Sequence, residues 1–133
     1  MKWYQAYAIS LSLSIATLEI ILAGNANKRF MNCCNRRSDI NEWCKTNLCT
    51  FSITSEQALT IFPLCTQFGN TMMNIWQCAN ANYNHSKCCA KKGIPTNCRS
   101  YCNGKPMRKI MNIKCFYYFS QILSCFKEYY EKQ

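Results

Sequence analysis

Hydrophobic and polar positions along this chain fall into short blocks with helical period. The clearest block lies late in the sequence, where Met111, Cys115, Phe119, Ile122, Phe126 and Tyr129 follow at intervals of four, four, three, four and three. That spacing places all six on one face of a single helix, with Cys125 beside the stripe. Such a stripe reads as core packing sewn to a neighbour rather than as a membrane-binding face. "TMMNIWQC" (residues 71–78) is a second apolar block and predicts a short helix. Two more blocks open with helix-start signals: Asp39 and Glu42 in "DINEWCKTNLC", and Thr54 and Gln57 in "TSEQALTIF". Each pair has the spacing of a capping box, in which two side chains satisfy each other's backbone N–H groups. Pro63 should end or bend the second of these helices, because it has no N–H to donate. "KKGIPTN" and "CNGKP" read as turns through their Gly and Pro content. Strand-like alternation is scarce, so the pattern predicts an all-α fold.

The N-terminal pattern is different. After Lys2, the apolar and serine-rich run "YAISLSLSIATL" (residues 7–18) leads through Glu19 to the small residues of "ILAGNA". This predicts a signal peptide over residues 1–24, with cleavage between 16 and 26. A membrane anchor is the competing reading. It is disfavoured because Glu19 interrupts the run before the roughly 20 apolar residues a span requires, and no basic stop-transfer cluster follows closely. The cysteine-rich domain is then expected over residues 31–128, with a tail at 129–133.

Cysteine usage changes the picture most. Twelve cysteines in 133 residues mark a disulfide scaffold, and an even count is compatible with six bridges. Such a framework belongs to an oxidising compartment, so the expected location is secreted and extracellular. The cysteines also repeat. Cys33-Cys34, Cys44, Cys49, Cys65 and Cys78 are followed by Cys88-Cys89, Cys98, Cys102, Cys115 and Cys125. Each set has a double cysteine, a gap of eight or nine, a gap of three or four, and two long gaps. Two pseudo-repeated halves, each closing three bridges, would account for this, although six cysteines permit 15 pairings and the connectivity stays open. Adjacent cysteines rarely bond to one another, so each Cys-Cys pair should tie one point of the chain to two separate elements.

The formal net charge is +10. It favours acidic proteins, sulfated glycans and anionic lipid as partners, while the compartment argues against nucleic acid. Lys87, Lys91, Lys92, Arg99, Lys105, Arg108, Lys109 and Lys114 make the second half the more basic, and together form a candidate basic patch. The alternative is an ordinary solvated face.

Catalytic and metal chemistry find little support. His85 is the only histidine, and no acidic residue lies near it in sequence. A catalytic histidine needs an orienting acid and a nucleophile, so His85 is expected to be structural. A zinc site would want spaced Cys-x2-4-Cys pairs with histidine partners, and the chain has neither CxxC nor a second histidine. Neither a metal nor another cofactor is expected. Secreted phospholipase A2, which carries Cys-Cys-x-x-His-Asp, is excluded by Arg37 and Ser38 at the two chemical positions. Asn84-His85-Ser86 is a glycosylation sequon, which makes Asn84 a candidate site.

The stretch "CANANYNHSKCCAKKGIPTNCRSYCNG" (residues 78–104) resembles the centre of the nematode DB module. That family's signature runs Asp-His-x-x-Cys-Cys, then Gly-Val/Ile-Pro-x-x-Cys-x-x-x-Cys. "CCNRR" and "CFYYFSQILSCF" resemble its beginning and end, and all twelve cysteines find places. Asn84 stands where the family usually has aspartate, which creates the sequon. The resemblance implies six bridges and an extracellular interaction module without established activity. A fainter likeness to the Cys-Cys-containing domains of glial-cell-line neurotrophic factor receptor alpha also implies an all-α fold. The expectation is a compact, disulfide-rich helical domain acting as a secreted, non-enzymatic module that binds an extracellular or cell-surface protein. The alternative is a cationic effector of anionic membranes or sulfated glycans. The oligomeric state is left open.

Overall fold

The computed structural model describes residues 2–133, with side chains from Ser14 onward. The side chains that begin the proposed leader therefore lie outside the described residues. Seven α-helices and one 3-10 helix follow in order: α1 (Lys2–Asn35), α2 (Glu42–Leu48), α3 (Ser55–Cys65), α4 (Thr71–Asn80), α5 (Ser86–Lys91), the 3-10 helix (Thr96–Cys102), α6 (Ile113–Phe116) and α7 (Phe119–Glu131). There is no strand among the described residues. The all-α, disulfide-rich expectation holds.

Helix α1 divides by burial. Residues 14–21 are exposed, including Ile15, Leu18, Ile20 and Ile21, and Ala26 is the first buried position. From there Ala26, Phe30 and Cys34, at intervals of four, face the core. Among the described residues, no helix is long and apolar enough to cross a membrane.

All twelve cysteines are bridged. The first half pairs Cys33–Cys78, Cys34–Cys49 and Cys44–Cys65. The second pairs Cys88–Cys125, Cys89–Cys102 and Cys98–Cys115. Numbered one to six within each half, the connectivity is 1–6, 2–4, 3–5 both times. The two six-cysteine halves are thus repeats of one knot. In each, the double cysteine sends one bridge to the half's last helix and the other to its fourth cysteine.

No bridge joins the halves, and apolar packing does so instead. Phe62 of α3 meets Phe116 and Phe119 at 5.6 Å between ring centroids, and Trp76 of α4 meets Phe126 edge-on at 5.3 Å. Phe30 packs on Phe51, which packs on Tyr130. The Tyr130 hydroxyl donates to the Cys78 carbonyl at 2.5 Å, closing the end of α7 onto the end of α4. Arg29 of α1 donates to the Tyr130 carbonyl nearby.

Two local expectations need correction. Thr54 and Gln57 do form a reciprocal capping box, but Asp39 and Glu42 do not. Asn41 caps α2 by accepting from the Cys44 N–H at 3.1 Å. Asp39 turns instead to Asn74, whose amide donates to its carboxylate at 2.6 Å, and Glu42 pairs with Lys45. A buried amide that would otherwise lack a partner outcompetes the local cap. Pro63, expected to end or bend α3, lies inside it, and the helix ends two residues further on at Cys65. The C-terminal stripe is not one helix: it breaks between α6 and α7 at Tyr117 and Tyr118, and Met111 precedes both. Its first five members are nevertheless buried and Tyr129 half-buried, because the break keeps them on the same side.

Candidate functional site

The joint between the halves, residues 81–85, is the most specified stretch of the molecule. It begins with Ala81 and Asn82 at φ 56° and 53°, a left-handed pair that turns the chain off the end of α4. Asn80, fully buried, holds that turn: its side-chain carbonyl accepts from the Asn82 N–H at 2.8 Å, and its amide donates to the Lys105 carbonyl. Its backbone carbonyl accepts twice, from the Tyr83 N–H at 3.1 Å and from the His85 Nε2–H at 2.8 Å. The His85 backbone N–H donates to the Cys102 carbonyl at 2.7 Å. Around the ring stand Tyr83, Phe126 and Tyr129, with centroids 4.8–5.4 Å away.

This environment fixes the chemistry of His85. Burial disfavours the imidazolium and holds its pKa below the ordinary 6.5, with the bond to the Asn80 carbonyl partly opposing. The ring is neutral near pH 7, protonated on Nε2 and spoken for. His85 joins the two halves, as a structural residue would.

Asn84, one position earlier, is exposed. Its side-chain oxygen accepts from the Ser86 N–H at 2.9 Å and from the Ser86 hydroxyl at 2.6 Å. The amide nitrogen of the sequon is left pointing away from the internal bonds, on the rim of an open groove.

That groove, about 750 Å³, runs between α5 and the end of α7. It gathers Lys87, Lys91 and Lys92 from the candidate patch and adds Lys132, which the sequence reading had not included. Lys92 is engaged with Glu128 at 2.6 Å. One side is formed by Tyr83 and Tyr129, stacked at 4.4 Å with 21° between their planes.

The remaining candidate cations lie elsewhere. Residues 105–110 form a ridge between two other grooves. One, about 400 Å³, is lined by Met72, Met73, Met107 and Ile110 with Arg108 and Lys109 at its edge. The other, about 500 Å³, adds Trp76, Tyr101 and Lys105. Arg99 is turned inward, its Nε donating to the Ile94 carbonyl at 2.8 Å, and Lys114 is exposed on α6. The candidate patch is therefore two separated basic sites, with Arg99 and Lys114 in neither.

Sequence order hides the methionine groove and the tyrosine stack. Met73 and Met107 become neighbours only when the halves dock, and Tyr83 and Tyr129 only when the end of α7 folds back on the joint. No curated protein and no solved structure matches the chain. A family model described as DB module matches residues 33–126, from the first cysteine to the residue after the last. With that match over most of its length and all twelve cysteines bridged within it, the chain belongs to the DB module family, a family of small cysteine-rich extracellular domains.

Proposed function

We propose that this DB module is a secreted, non-enzymatic binding module that docks an acidic, apolar-containing segment of an extracellular or cell-surface protein. The groove of Met72, Met73, Met107 and Ile110 carries this reading. Methionine side chains are flexible and polarizable, so they mould themselves to varied apolar partners. Arg108 and Lys109 at the edge, with no acidic residue lining the groove, supply charge complementarity to carboxylates. Ile110 is already 41 % exposed at its mouth. The engaged, neutral His85 and the complete bridging of the cysteines support a scaffold role over a catalytic one. The exposed apolar residues of α1 before Ala26 support a cleaved leader, since the packed domain makes no use of them.

The test is capture from a panel of cell-surface and matrix proteins, using wild type beside Met73→Asp and Ile110→Asp. A partner bound by wild type should be lost, at least tenfold in affinity, with either substitution and kept by Lys87→Ala. A partner indifferent to Met73 and Ile110, or the absence of any reproducible partner, would overturn the reading.

A further inference from the structure

We infer that the groove between α5 and the end of α7 is a second binding site, for a sulfated polysaccharide. It shares no lining residue with the methionine groove and stands independently of the protein-docking reading.

The argument starts from charge. Four lysines line the groove against one acidic side chain, Glu128, and that side chain is held by Lys92. Lys87, Lys91 and Lys132 make no ion pair among the described residues. Lys87 and Lys91 sit one helical turn apart, about 5–6 Å between Cβ atoms, the scale of a single sugar ring. All four cations are lysines, flexible point charges that meet sulfates at varied positions along a chain rather than one fixed planar anion.

The aromatic wall supplies the second part. Tyr83 is 50 % exposed, and its ring is held between Tyr129, on which it stacks, and the buried His85, which itself packs on Phe126. A rigid, half-exposed tyrosine face beside lysines offers what a sulfated sugar has to bind: an apolar C–H face for the ring, cations for the sulfates. The groove's shape narrows the choice further. It is a trough, which a polymer chain can lie in and a flat bilayer cannot enter. The side chains at its sides are tyrosines and lysines, with no aliphatic residue positioned to insert among lipid tails.

The experiment uses the oxidised chain carrying no N-glycan, with a heparin-derived octasaccharide as probe and calorimetry as readout at two salt concentrations. Wild type should bind, weakening steeply with salt. Lys87→Glu with Lys91→Glu should lose at least tenfold, while Arg108→Glu with Lys109→Glu, an equal change of net charge on the other ridge, should stay within about twofold. Tyr83→Ala should weaken binding about threefold or more without changing the salt dependence. Equal losses from the two charge-reversal pairs would overturn the site, since only net charge would then matter. Undiminished binding of the desulfated octasaccharide would overturn the ligand class. So would tighter binding of phosphatidylserine vesicles or of a single-stranded oligonucleotide.

Discussion

The two halves share a knot and differ in nearly everything laid over it. Cysteines 33 to 78 enclose three basic and three acidic residues, which cancel; cysteines 88 to 125 enclose seven basic residues and no acidic one. The bridges span 45, 15 and 21 positions in the first half and 37, 13 and 17 in the second, shorter at every equivalent link. Shortening has structural consequences. Where the first half has the regular helix α2, the second has a 3-10 helix; where the first has the eleven-residue α3, the second has the irregular stretch 103–112 and the four-residue α6. Pro106 and Gly104 in that stretch leave it unable to continue as helix. Its exposed lysines and arginine then form the ridge between two grooves. A repeated pairing can hold a fold constant while one copy carries less regular helix and more exposed charge.

The largest way to probe this comparison is to open the longest link of the first half and the shortest of the second. In the loop-entropy description, removing Cys33–Cys78 should cost about 4 kcal/mol and removing Cys89–Cys102 about 3 kcal/mol. Denaturant unfolding of the Cys→Ser pairs measures both. Cleaving the chain once within residues 81–84 should give two pieces that separate in denaturant without reductant, because no bridge crosses the joint. Pieces that stay linked would refute the pairing.

Smaller effects come from one left-handed glycine in each half. A Cβ on Gly104 would meet the Tyr83 carbonyl oxygen at 2.7 Å, at φ 84°. Gly69 has φ 57° and open space around it. Gly104→Ala should therefore cost about 2–3 kcal/mol, combining the left-handed penalty with displacement of the joint. Gly69→Ala should cost only about 1–2 kcal/mol. Thermal unfolding separates the two, and equal losses would show that the joint yields freely.

The smallest effect concerns pH. His85 titrates below its ordinary 6.5 in the folded chain. Protonation therefore favours the unfolded state: stability is full above pH 6.5 and declines as pH falls through the lowered folded value. Urea midpoints at pH 7.5 and 5 should show this decline in wild type and a flatter profile in His85→Gln. An identical decline in both would place the acid sensitivity elsewhere.

Cysteine spacing made the repeat legible because bridges in a small domain act through chain distance, which a sequence displays directly. It could not choose among pairings, since that depends on which helix faces which. The stripe from Met111 to Tyr129 correctly named core residues and misjudged continuity, because a break at Tyr117 and Tyr118 preserves side while altering axis. The Asp39 reading failed for a similar reason: Asn74, 35 positions away, offers the carboxylate a better partner than its own helix does. That His85 has no acidic neighbour along the chain was legible in the sequence. The tyrosine stack beside it was not, since Tyr83 lies in the joint and Tyr129 near the end of α7.

The confinement of every bridge to its own half bears on how the chain is made. As it emerges from synthesis, Cys34 can reach Cys49 and Cys44 can reach Cys65 while the second set is still absent; Cys33 waits for Cys78. Because each set closes on itself, the native pairing is reached by two searches among 15 pairings each, in place of one search among twelve competing thiols, and the order of translation gives the first set the earlier start.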